Sequence, residues 1–167
     1  MKRLQNRIAT SRWALPVTVV YGLAVSIAAG LLMENMWLNF ALLIASTVMM
    51  AELNNSNALI RIYSRMVSCS FLVMTSMSLF LFRTINVAVV QITFITFLLF
   101  LLRTYQRPEA TGLTFYAFCA LGMGSVVFPQ VLLFLPPLWS VMAVYMQSFS
   151  PRVLLSTILG IITPYWF

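Results

Sequence analysis

Apolar stretches alternate with short polar breaks along the whole chain, and none shows the two-residue alternation of a half-buried strand. The apolar runs cover 14–33, 37–53, 66–82, 85–102, 112–128, 131–146 and 153–167. A bilayer's hydrocarbon core of about 30 Å asks for roughly 20 helical residues. The pattern therefore predicts an all-α, polytopic transmembrane helix bundle of six or seven spans, forming a single domain over 1–167.

Three of the runs need individual readings. The first follows Lys2, Arg3, Arg7 and Arg12, as a secretory signal would. It exceeds the about 7 to 15 residues of a signal's apolar region and further spans follow it, so it reads as a retained helix. The run from Val131 to Met146 contains Pro136 and Pro137, which remove backbone donors and are expected to kink it. Only Phe128, Pro129 and Gln130 separate it from its predecessor, so it is either one arm of a tight hairpin or a re-entrant element. The last run, Val153 to Phe167, ends without a polar tail on Tyr165, Trp166 and Phe167. Those rings suit a membrane interface; the abrupt end is expected either of a helix that ends inside the bilayer or, the favoured reading, of the N-terminal part of a longer protein.

Composition agrees with the pattern. Of the 167 residues, 62% are hydrophobic and 8% charged, with a mean hydropathy of +0.97; soluble domains carry about 25% charged residues. The net charge of +7 would suggest nucleic acid in a soluble protein, but the basic residues are dispersed over loop ends, so nucleic acid is excluded as a partner. If the N-terminus is cytoplasmic and all seven runs cross, the inner segments hold Lys2, Arg3, Arg7, Arg12, Arg61, Arg65, Arg103, Arg107 and Arg152, and only Arg83 lies outside. This is the positive-inside distribution of a multi-pass protein in a bacterial inner membrane. Anionic headgroups on the inner face are then the expected partners of these side chains.

Small residues fall in helical register: Gly22, Ser26 and Gly30, then Ala120 and Gly124, then Ser156 and Gly160. Spacing by four places each set on one helix face, where backbones approach closely in lipid. These faces are expected to point into the bundle or toward a partner subunit.

The inventory of reactive groups is short. There is no His, so the commonest general base and metal ligand is missing. Cys69 and Cys119 lie in different runs and match no metal spacing; both read as packing residues. No phosphate-binding glycine loop, dinucleotide fingerprint, nucleophile elbow or zinc-protease motif occurs, so no cofactor and no metal are expected. The acids are Glu34, Glu52 and Glu109. Glu34 falls in a short outer turn and Glu109 in an inner loop, where both are expected to be solvated.

Glu52 opens the polar stretch "ELNNSNALIRIYSR". Asn54 and Asn55 are predicted to turn the chain and Ser56 to cap a new helix. Asn57, Arg61, Arg65 and Ser68 then follow at spacings of four, four and three, so they share one face of the helix leading into the third span. Two uses of that face are open. Arg61 and Arg65 snorkel to inner phosphates while the Asn and Ser side chains cap helix ends. Alternatively Glu52 pairs with Arg61 or Arg65, and Asn54, Asn55 and Asn57 complete an inward-facing site for an anionic headgroup, since an ionisable group at membrane depth needs a partner.

The run "ELNNSNALIRIYSRMVSCSF" together with the terminal "TPYWF" resembles a family of uncharacterised bacterial multi-pass inner-membrane proteins. The resemblance implies a chain that continues past Phe167 and brings no activity, cofactor or catalytic residue. The expected function is a non-enzymatic component of a membrane assembly that binds lipid or partner helices. Two alternatives stand beside it: a membrane-embedded transferase acting on a lipid-linked substrate with Glu34 or Glu52 as acid or base, and a small-solute transporter using Gln91, Thr93 and the prolines of the sixth run.

Overall fold

The structure, a computed structural model, describes residues 13–28, 37–57, 66–78, 84–107 and 109–166. These residues form α1 (Ala14–Ala28), α2 (Trp37–Asn57), α3 (Met66–Met77), α4 (Ile85–Leu102), α5 (Thr111–Val127), a 3-10 segment (Pro129–Phe134), α6 (Leu135–Val144), α7 (Pro151–Ile162) and a closing 3-10 turn (Thr163–Trp166). No strand occurs among the described residues. Two helices, α2 and α4, are long and apolar enough to cross a membrane; α1, α3, α5 and the Pro129–Val144 segment are apolar but shorter. The chain divides into two compact units, 1–88 and 89–167, with the boundary inside α4.

In the first unit α1 and α3 run parallel. Thr18 Oγ1 donates to Cys69 Sγ at 3.4 Å, and one turn further on Gly22 abuts the side chain of Leu72. Ala88 packs with Val25, Leu42 and Leu43. Gly22 and Ser26 are buried as their spacing predicts, whereas Gly30 lies outside the described residues.

The turn predicted at Asn54 and Asn55 is absent: α2 continues through both to Asn57. Leu53 and Asn54 are 2% and 8% exposed, so packing of this last stretch overrides the local preference of Asn for a turn. Ser56 accordingly lies within the helix instead of capping the next one. Further up α2, Ser46 and Thr47 both donate to the Leu43 carbonyl at 2.8 Å.

The second unit is built on α5 and α7. Ser156 Oγ donates to the Thr111 carbonyl at 2.7 Å, Gly160 lies against the backbone of Phe115 and Cys119, Gly122 against Ile161 and Pro164, and Ser125 bonds Tyr165 at 2.9 Å. Both members of each pair advance together, so these helices are parallel. Helix α4 runs antiparallel to α5: Thr93 meets Gly124, and Phe97 meets Phe118 edge to face at 5.4 Å. Phe97, Leu101, Ala117, Phe118, Leu121, Met142, Met146 and Val153 close the core of this unit.

Two parallel helices need a return path between them, and residues 129–144 supply it. The Gln106 N–H donates to the Met146 carbonyl at 3.1 Å, which brings the chain back beside the start of α5. Six 3-10 residues rise about 12 Å at roughly 2.0 Å each, and the ten residues of α6 about 15 Å. Together they match the about 26 Å of the 17-residue α5. Within the unit the sixth run therefore traverses the length of α5 and does not re-enter at the end it left. Pro136 and Pro137 do not kink a helix, contrary to the expectation. They occupy the first turn of α6, where their missing N–H groups have no intrahelical partner to lose.

Candidate functional site

The predicted polar cluster is divided by the helix that carries it. Because α2 continues through Asn57, Glu52 and Asn54 project roughly 200° apart around its axis. Glu52 and Asn55 are exposed, while Asn54 is buried. Glu52 and Asn54 therefore face different sides of α2. Asn57 is the last residue of α2, and Arg61, Arg65 and Glu34 lie outside the described residues. Of the residues named for transport, Thr93 donates to the Val90 carbonyl at 2.9 Å, and the Oε1 of half-buried Gln91 has no hydrogen-bond partner. Cys69 and Cys119 are free thiols. Among the described residues no three His, Cys, Asp or Glu side chains come together.

Two recesses were not legible in the sequence. The first lies among α1, α2 and α3, has a volume of about 380 Å³, and is lined by residues that include Val19, Leu23, Leu43, Val48, Ala51 and Leu72. Two of the three hydroxyls among its lining residues are turned back onto their own helices: Ser26 donates to the Gly22 carbonyl at 2.7 Å and Thr47 to that of Leu43; the third belongs to Ser68. The protons of the first two are committed to the backbone, and the wall is almost wholly apolar. The spacing by four of Gly22 and Ser26 pointed to close packing, and the same small side chains leave this space beside them.

The second recess, about 600 Å³, lies at the end of the second unit where α5 and α7 begin, and is lined by Glu109, Thr111, Ser150, Pro151 and Arg152. Two loops meet at this end. Gln106 and Gln147 adopt positive φ of 56° and 50°, which folds each loop sharply before its helix, and the Gln106 to Met146 bond joins them. Thr111 N–H donates to the Glu109 carbonyl at 2.8 Å, fixing the acid's backbone at the rim. Ser150 caps α7 by accepting from Val153 N–H at 3.3 Å, and Pro151 starts the helix.

No protein-family model matches this chain, and no curated protein or solved structure matches it either. The reading of its function therefore rests on its own residues.

Proposed function

We propose that the protein is a multi-pass integral membrane protein of the bacterial inner membrane, N-terminus cytoplasmic, that acts without catalysis as a lipid-binding component of a membrane assembly. The apolar recess among α1, α2 and α3 carries this reading. A concave site of about 380 Å³ falls within the roughly 300–1,000 Å³ of ligand pockets, and a wall lined mostly by aliphatic side chains offers hydrocarbon contact. Exposed Val17, Val20, Leu23 and Ile27 on α1 suit a lipid or helix neighbour better than water.

The distribution of charge in the second unit supports membrane embedding. Its three basic residues, Arg103, Arg107 and Arg152, and its one acid, Glu109, fall in or beside the joined loops at one end. Tyr165 and Trp166, both exposed, stand at the other. Exposed Tyr105 and Tyr145 accompany the charges, so amphipathic rings mark both ends, as they do at the two interfaces of a bilayer. The parallel pairs α1 with α3 and α5 with α7 are those that an alternating up-and-down path produces.

Lipid retention tests the proposal. Val19→Trp and Ala51→Trp, which fill the recess, are expected to reduce tightly held lipid after detergent purification, measured by mass spectrometry against the unsubstituted protein. Undiminished lipid in two folded variants overturns the assignment of the recess. Extraction of the protein from membranes by alkaline carbonate overturns the membrane reading itself.

A further inference from the structure

We propose that the recess between Glu109 and Arg152 binds the headgroup of a zwitterionic phospholipid bearing a primary ammonium, with the phosphodiester on Arg152 and the ammonium on Glu109. The inference rests on the membrane reading above. It concerns a different unit of the chain from the apolar recess.

Charge complementarity selects the ligand. The two side chains that line the recess with formal charge are opposite in sign and come from separate elements, the turn before α5 and the first turn of α7. A lipid with a net anionic headgroup would satisfy Arg152 and leave its phosphate facing the Glu109 carboxylate. A phosphate and an ammonium on one short linker complement both, and the volume of about 600 Å³ suits a small ligand. Three of the first four backbone positions of α7 are closed to the phosphate: Pro151 has no N–H, Val153 N–H donates to the Ser150 hydroxyl, and Leu154 N–H to the Ser150 carbonyl at 2.9 Å. The anion is then met at Arg152, whose guanidinium binds phosphate through paired N–H groups.

Glu109 sets the choice of amine. A primary ammonium donates hydrogen bonds to a carboxylate, and a trimethylated one has no N–H to donate. Glu109 is exposed, so its pair with the ammonium is worth up to about 1 kcal/mol, which corresponds to about fivefold in affinity. The joined loops put the recess at the same end of the unit as Arg103 and Arg107, the level where headgroups lie if the helices cross the bilayer.

The test uses the full chain in nanodiscs containing phosphatidylglycerol with either phosphatidylethanolamine or phosphatidylcholine, read by native mass spectrometry of retained lipid. The expected result is retention of the ethanolamine lipid up to about fivefold over the choline lipid. Glu109→Gln is expected to abolish that preference, and Arg152→Gln to lower retention of both zwitterionic lipids. Both sites are exposed, so folding is expected to persist, and circular dichroism checks it. An unchanged ethanolamine preference in Glu109→Gln overturns the proposal, as does equal retention of the two lipids by the unsubstituted protein. Free phosphoethanolamine binding as tightly as the lipid would assign the site to a soluble ligand and overturn the lipid assignment. All three results leave the membrane reading intact, whereas failure of the chain to enter nanodiscs overturns both.

Discussion

Gly160 of α7 lies so close to Phe115 of α5 that a Cβ added to it would stand 2.7 Å from the Phe115 carbonyl oxygen. The same Cβ would be 3.1 Å from the Cys119 nitrogen. Because these are backbone atoms of a packed helix, neither can move aside without displacing α5. Gly122 makes the reciprocal approach: a Cβ added there would meet the Ile161 carbonyl oxygen at 2.9 Å. Gly160→Ala and Gly122→Ala are each expected to destabilise the protein by about 1–3 kcal/mol, as overpacking does. Gly112 has nothing within 4 Å of its Cβ position and sits near the start of α5. Gly112→Ala is expected to be neutral or to stabilise by up to about 1 kcal/mol through helix propensity. Thermal unfolding of the three variants in detergent checks the order; a Gly160→Ala protein as stable as Gly112→Ala would contradict the packing.

On the proposed membrane reading, the return path through residues 129–144 predicts which positions share a side of the bilayer. Cysteines substituted at Arg107 and Phe149 are expected to label from the cytoplasmic side, and those at Phe128 and Trp166 from the opposite side, using an impermeant maleimide on cells and inverted vesicles. Labelling of Phe128→Cys and Phe149→Cys from one side would show that the sixth run fails to cross, whatever its path within the unit.

How far the sequence reached depends on what kind of interaction decided each feature. Helix α4 occupies the predicted 85–102, because its apolarity is continuous and its limits are set by local polar residues. Helix α2 overran its predicted end, because burial of Leu53 and Asn54 is a tertiary effect with no local signature. The stripe of Ala120 and Gly124 was legible from spacing by four, yet Gly122 was missed: it faces α7 and not α4, so it belongs to a different register of the same helix. The candidate site fared worse. Glu52 and Asn54 are close in sequence and opposed around the helix, whereas Glu109 and Arg152 are 43 positions apart and line one recess. Nothing in a linear pattern joins them, because the link is the bond from Gln106 to Met146.

Ser148 offers a test of local accounting in that same loop. Its side chain is fully buried and its hydroxyl has no hydrogen-bond partner, although its N–H donates to the Met142 carbonyl at 3.3 Å. An unsatisfied buried hydroxyl costs about 1–3 kcal/mol. Ser148→Ala removes the hydroxyl and keeps the backbone bond, so it is expected to raise the unfolding temperature. A lower unfolding temperature would mean that the hydroxyl contributes a bond of its own.

At the opposite end of the second unit, the Ser125 hydroxyl donates to the Gly122 carbonyl at 2.6 Å. Its single proton is therefore used, and in the 2.9 Å bond with Tyr165 it is the phenol that donates. The two partners differ in surroundings: Ser125 is fully buried and Tyr165 is 53% exposed. Tyr165→Phe leaves a buried oxygen with one bond fewer and is expected to cost about 0.5–1.5 kcal/mol. Ser125→Ala removes both bonds, but the exposed phenol can turn to other partners and alanine favours the helix, so part of its loss is offset. The double variant is expected to be less destabilised than the sum of the two singles, because both remove the same bond. Strict additivity in a double-mutant cycle would show that the hydroxyls do not interact and that packing, not this bond, holds the closing 3-10 turn to α5.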